Sequence, residues 1–231
     1  MKINKNEGRG KFIFVIDDHI PVVEGFINLI KRDLSHINFQ FEKALNCKQS
    51  YEKIIALQKD GIMPDVAIID MSLPECIEQE LYSGLEVGQL IRKHFPDTKI
   101  IIATGFTEVA PTKIMMEKLQ PEAVLCKSDI TYGVFDSVFK QLDAGETYIS
   151  AEVQKVLQDD LVKQLELDLH DLEILDHLNK GIHTKDLPKY INLSLSAIEK
   201  RKAYMKFHLA GTKASDKEFL TKAKMLNFIK K

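Results

Sequence analysis

Val66-Ala67-Ile68-Ile69-Asp70-Met71-Ser72-Leu73-Pro74 is the stretch that decides the fold. Four apolar residues, preceded by Pro64, run into an acid, and a Leu-Pro pair closes the stretch. A short continuous apolar run between turn signals reads as a strand buried on both faces, as in a parallel sheet. Its acid then stands at the C-terminal tip, where open α/β sheets place their ligand sites. Two other runs end the same way. Phe12-Ile13-Phe14-Val15-Ile16 meets Asp17-Asp18, and Ala123-Val124-Leu125-Cys126 meets Lys127. A fourth, Ile100-Ile101-Ile102-Ala103, meets Thr104.

Outward from these runs the first half of the chain alternates. Strands are predicted at 11–16, 38–44, 66–70, 99–104 and 123–127, and helices at 21–34, 47–60, 84–94, 111–118 and 131–144. Such alternation predicts a doubly wound, five-stranded parallel sheet with helices on both faces, an α/β domain over residues 1–145. Residues 146–165 read as a turn, a short extended piece and a linking helix capped by Ser150. No strand signal returns after that. Helices are predicted at 169–180, 184–191, 196–209 and 215–229, with Gly181 ending the first and Ser194 or Ser196 capping the third. Residues 166–231 thus form a second, smaller all-α domain.

Composition narrows the class. Hydrophobic content of 45% and charged content of 29% describe an ordinary soluble globular chain. No apolar run approaches the roughly 20 residues of a membrane helix, and the polar start of the chain is no signal peptide. Cys47, Cys76 and Cys126 are odd in number and far apart, which argues against a disulfide framework or zinc site and for a reducing cytoplasm. The net charge of −2 hides an asymmetry: from residue 166 on, 13 Lys/Arg stand against 9 Asp/Glu, and before it 19 against 25. An acidic front and a basic back predict different partners.

The strand-tip residues share one chemistry. A carboxylate attacks phosphorus poorly because both carry negative charge, and a bridging divalent cation relieves the repulsion. Asp17, Asp18 and Asp70 supply the few carboxylates Mg²⁺ prefers. Lys127 neutralises a phosphoryl oxygen, and the Thr104 hydroxyl donates to one. A single acid at a strand end is an ordinary solvated turn residue, but their coincidence at successive strand tips calls for a shared site.

The strings "VIDDH", "IIDMSLP", "IIIATG" and "VLCK" resemble the receiver domain of two-component response regulators over residues 11–145. The resemblance implies a flavodoxin-like fold and Asp70 as phosphoacceptor. It also implies Mg²⁺ held by Asp17, Asp18, Asp70 and the backbone carbonyl of Ser72, a switch hydroxyl on Thr104 and a phosphate-binding Lys127. The implied phosphodonor is a sensor histidine kinase. Two departures stand out. Val124 occupies the position, three before the lysine, where the family often has an aromatic, and the acidic loop after Pro74 is several residues longer than the family norm.

In the tail, a short helix, the turn Asn192-Leu193-Ser194 and a basic helix have the helix-turn-helix arrangement. The stretch "LDLHDLEILDHLNKGIHTKDLPKYINLSLSAIEKRKAYMKFHL" is similar to the LuxR-type (NarL/FixJ) DNA-binding domain, with departures at Pro188 and at Ala210-Gly211-Thr212. Lys200, Arg201 and Lys202 are the expected contacts to double-stranded DNA and Lys206 a backbone contact. The combined expectation is a cytoplasmic, non-enzymatic DNA-binding response regulator that dimerises when phosphorylated and has no membrane partner. Two alternatives are a regulator driven by partner contacts without phosphorylation and a Mg²⁺-dependent aspartyl phosphatase. The phosphatase type places Asp-x-Asp on its first strand, and Asp17-Asp18 lacks the spacer.

Overall fold

The computed structural model describes residues 10–105, 108–226 and 228–229. The chain divides into two compact units, one up to Ser150 and one from Ala151 on.

The first unit is built on a parallel sheet of β1 (Lys11–Ile16), β2 (Phe39–Ala44), β3 (Val66–Ile69), β4 (Lys99–Thr104), β5 (Ala123–Cys126) and β6 (Tyr148–Ile149), in the order β2-β1-β3-β4-β5-β6. The helices are α1 (Ile20–Asp33), α2 (Cys47–Lys59), α3 (Gly84–His94), α4 (Val109–Leu119) and α5 (Val134–Asp143). β3 and β5 are buried along their whole length, which is why they read as unbroken apolar runs. Alternate residues point to opposite faces. Ile13, Val15, Ile68, Ile101 and Leu125 meet Phe26, Ile27 and Ile30 of α1 and Phe135, Val138 and Phe139 of α5. Phe26 and Phe135 pack edge to face with centroids 6.1 Å apart. Asp33, at the end of α1, reaches across to α5, where Oδ2 accepts from the backbone N–H of Gly133 (3.0 Å) and of Phe135 (3.3 Å). It thereby satisfies two of the donors a helix start leaves open.

The sheet has one strand more than the five predicted. Tyr148 and Ile149 are too few to show a period, yet they pair with Ala123 and Val124 at the β5 edge. Ser150, expected as a helix cap, is buried and accepts the Cys126 N–H on its Oγ at 2.9 Å, while its own N–H donates to the Val124 carbonyl at 2.9 Å. Val124 is fully buried under this edge.

The loop from Asp70 to α3 has its own structure. Cys76 and Leu81 form an isolated antiparallel bridge around a 3₁₀ turn at Ile77–Gln79, closed by Glu80 in the left-handed region at φ 54°. Ser83 then caps α3 by accepting from the Leu85 N–H at 3.1 Å. Gly84 opens that helix against the site, since a Cβ there would lie 1.9 Å from the Asp70 carbonyl oxygen. Only glycine allows so close a backbone approach.

The second unit contains α6 (Ala151–Leu165), α7 (Leu169–Asn179), a 3₁₀ turn (Thr184–Lys189), α8 (Leu195–Ala210) and α9 (Asp216–Met225). Its buried side chains include Ile174, Leu175, Leu187, Ile198, Met205 and Phe219. The predicted helix at 184–191 is a shorter 3₁₀ turn because Pro188 lies inside it and has no N–H for an α-helical ladder. Ser194 caps α8 through the Ala197 N–H at 3.2 Å. α9 stops at Met225, four residues short of the predicted end, and Asn227 within that predicted span lies outside the described residues.

Gly84→Ala is expected to lower the stability of the first unit by about 3 kcal/mol or more, because backbone rather than a flexible side chain blocks the new methyl. Urea unfolding checks this, and an unchanged midpoint contradicts the contact.

Candidate functional site: an acidic pocket at the carboxyl edge of the sheet

The parallel sheet brings the predicted strand-tip residues together. The Lys127 ammonium lies 2.7 Å from Asp17 Oδ2 and 3.0 Å from Asp70 Oδ2, so one cation joins residues from the ends of β1, β3 and β5. Asp17 and Asp70 are buried, and Asp18 next to them is partly exposed. Thr104 ends β4, is buried, and pairs in register with Cys126, the residue before Lys127. Ser72 lies two residues past Asp70, on the exposed start of the loop.

The electrostatics are unbalanced. Burial pushes the Asp70 carboxyl above its ordinary pKa, Lys127 pulls it back, and Asp17 pushes it up again. Burial opposes the Lys127 charge, but the adjoining carboxylates of Asp17 and Asp70 hold its pKa above the usual lysine value. Among the described residues, none donates a hydrogen bond to the buried Asp70 Oδ1. Asp17 Oδ2 is paired with the ammonium by proximity, without the alignment of a hydrogen bond. Two buried carboxylates share one ammonium, and the Asp18 carboxylate stands beside Asp17, so acids outnumber the cation.

Sequence reasoning missed His19. Its Nδ1 lies 2.7 Å from Asp18 Oδ1, and its backbone N–H donates to Asp17 Oδ1 at 2.9 Å. Asp17, Asp18 and His19 offer ligand atoms that all lie within 4.8 Å of one another. The "VIDDH" string contained the residue, but nothing in its spacing showed that the ring turns back onto the acids. The donor set fits a divalent cation: it is mostly hard oxygen, acids outnumber the cation, and two buried carboxylate oxygens, Asp17 Oδ2 and Asp70 Oδ1, accept no hydrogen bond among the described residues.

In the second unit the four expected DNA contacts divide. Lys200 is exposed on α8. Arg201 Nη1 instead pairs with Asp168 Oδ2 at 2.9 Å and Asp171 Oδ1 at 3.0 Å, tying α8 to the start of α7. Lys202 and Lys206 both pair with Asp216 at the start of α9, at 2.6 and 2.8 Å. Three of the four cations expected at DNA thus also form ion pairs that tie the helices of this unit together. The signal that separates them is helical phase: Ile198, Met205 and Leu209 face the core, and Arg201 and Lys202 flank that stripe.

Two expectations follow. Asp70→Asn should stabilise the metal-free protein by about 1–3 kcal/mol near neutral pH, because it removes an under-satisfied buried charge. Asp70 has a raised folded pKa, so its penalty is absent below the ordinary carboxylate range and grows as pH rises through the raised value. Urea titrations in chelator across pH should show the two proteins converging in acid, and a constant gap contradicts the assignment. Arg201→Ala should cost about 1–3 kcal/mol by stranding the buried Asp171. Asp168 is held below its ordinary pKa, with burial opposing and the Asp171 backbone and Arg201 prevailing. That contribution is present above the ordinary carboxylate value and lost as pH falls through the lowered one, so the cost should shrink in acid.

Residues 13–146, more than half of the chain, match the response regulator receiver domain family. The oxygen regulatory protein NreC of Staphylococcus epidermidis is 25% identical over 232 residues, spanning 94% of this chain and 99% of the relative. NreC of Staphylococcus carnosus is 27% identical over 239 residues with the same two coverages. In fold, the RcsB response regulator of Salmonella typhimurium superposes with a TM-score of 0.55 at 21% identity, covering 92% of this chain and 97% of that one. A LuxR-family two-component response regulator from Aurantimonas sp. SI85-9A1 gives 0.52 at 19% identity, covering 67% and 99%. The chain belongs to the response regulator receiver domain family.

Proposed function

We propose that this chain is a two-component transcription regulator that accepts a phosphoryl group on Asp70 and answers through its helical unit. The observation that carries the reading is the Lys127 ammonium held between Asp17 and Asp70 at the carboxyl edge of the sheet. Among the described residues, no helix is long and apolar enough to cross a membrane.

Asp17, Asp18, Asp70 and the Ser72 carbonyl would hold Mg²⁺, which neutralises the repulsion between carboxylate and phosphoryl oxygens when bound. Asp70 forms the new O–P bond as the N–P bond of a phosphohistidine breaks, and the departing imidazole nitrogen keeps the electron pair and takes up a proton. Asp70 Oδ1, which accepts no hydrogen bond, is the oxygen open to a cation or to phosphorus. Lys127 moves from Asp70 to the phosphoryl oxygens, and Thr104 donates its hydroxyl to the same group. Such chemistry serves only the protein's own phosphorylation and dephosphorylation. The product adds about two negative charges to the pocket. That change favours pairing of two chains, whose helical units then meet two half-sites about one DNA turn apart. A described relative in fold is a pair of RcsB dimers bound to DNA. The receiver role falls to residues 1–145, the link to 146–165 and DNA contact to 166–231, with Lys200 on the outer face of α8.

Incubation with acetyl phosphate and Mg²⁺ should add one phosphoryl group by intact mass, and Asp70→Asn should abolish the gain. Labelling that survives in Asp70→Asn contradicts the acceptor. For the helical unit, affinity for a mixed-sequence duplex should fall with salt, and Lys200→Ala should reduce the log-log slope by about one. An unchanged slope removes Lys200 from the phosphate contacts.

A further inference from the structure

A donor protein has to bring its phosphorus within bonding distance of a carboxylate that is only 3% exposed. Its surface must therefore rest on the loops at the carboxyl edge of the sheet. The loop between β3 and α3 is the longest of them. It is also the most strongly patterned.

The loop is anchored from below. The Cys76 N–H donates to the Leu81 carbonyl at 2.7 Å and the Leu81 N–H to the Cys76 carbonyl at 3.1 Å. The Cys47 N–H at the start of α2 donates to the Pro74 carbonyl at 3.1 Å, and the Gly84 N–H to the Met71 carbonyl at 3.1 Å. Leu73, Cys76 and Leu81 are buried. The residues next to the bridged pair are the reverse, with Ile77 67% exposed and Tyr82 56% exposed. An ordered loop that buries Leu73, Cys76 and Leu81 yet turns an isoleucine and a tyrosine outward gains nothing internal from those two. Around them Glu75, Glu78 and Glu80 are exposed, and residues 71–83 contain no lysine or arginine.

We propose that this loop is a preformed docking platform for the phosphodonor, a phosphohistidine-bearing protein surface with an apolar centre and basic side chains around it. The inference rests on the reading of Asp70 as phosphoacceptor. Charge selects the occupant. Duplex DNA is a polyanion and is repelled by three glutamates beside an acidic pocket. A second copy of this chain meeting the loop in a symmetric pair would set the same glutamates against each other. A basic surface is drawn in, which raises the encounter rate and makes it salt-dependent. Ile77 and Tyr82 supply the desolvated centre that holds it.

The test uses the full chain, two donors and two double variants. The donors are acetyl phosphate and the autophosphorylated cytoplasmic portions of the sensor histidine kinases of the same genome, labelled with radioactive ATP. The variants are Ile77→Ser/Tyr82→Ser and Glu75→Lys/Glu78→Lys. Transfer from the kinase that labels the unaltered chain fastest should fall about tenfold or more in both variants, while acetyl phosphate labelling stays within about twofold. High salt should narrow the loss in the glutamate variant and leave the apolar one as it was. Unchanged kinase transfer overturns the proposal. So does an equal loss with both donors, which makes the loop part of the pocket chemistry, or an unaltered chain that acetyl phosphate labels and no kinase does. Acetyl phosphate labelling that bypasses Asp70 instead overturns the acceptor reading, a distinct outcome.

Discussion

One ammonium shared between two buried carboxylates sets the terms for this protein. Lys127 spans Asp17 and Asp70, residues separated in sequence by more than fifty positions on each side, and holds three strand ends at one point. The arrangement exists because the strands are parallel, so their C-terminal tips crowd onto one edge. It is also incomplete. Asp70 Oδ1 receives no hydrogen bond, and burial lifts the Asp70 pKa despite the lysine. A buried polar atom left in that condition usually marks a functional demand rather than a packing accident. The pocket is stable enough to form and unsatisfied enough to take a cation and a phosphoryl group.

The elements around the pocket are arranged to keep its backbone fixed. Gly84 lets α3 begin against the Asp70 carbonyl, and the Asp70 N–H donates to the Ile16 carbonyl at 2.8 Å. On the other flank Ser150 takes up the Cys126 N–H, so the residue before Lys127 is tied to β6. These are short, neutral contacts. They restrict where the charged side chains can go without adding charge to the site.

Much of this was legible in the sequence, for identifiable reasons. Buried parallel strands need apolar residues on both faces, so β1, β3, β4 and β5 appeared as runs, and the acids, threonine and lysine appeared as their terminations. α3 was predicted at 84–94 and is found at those bounds. The rest depended on contacts between distant segments. β6 is two residues long and owes its place to the β5 edge, not to its own pattern. His19 joins the acids through a side-chain turn that no spacing reveals. Sequence alone also does not show that Arg201, Lys202 and Lys206, expected at DNA, have Asp168, Asp171 and Asp216 as ion-pair partners.

The central claim is that Lys127 holds Asp17 and Asp70 in readiness for a phosphoryl group. The most direct measurement is a crystal structure with Mg²⁺ and beryllofluoride, a mimic of an acyl phosphate. The account predicts beryllium on an Asp70 oxygen, the ion against Asp17 and Asp18, and Lys127 Nζ turned from Asp70 to a fluorine. Beryllofluoride absent from Asp70, with Lys127 still between the two carboxylates, would contradict it.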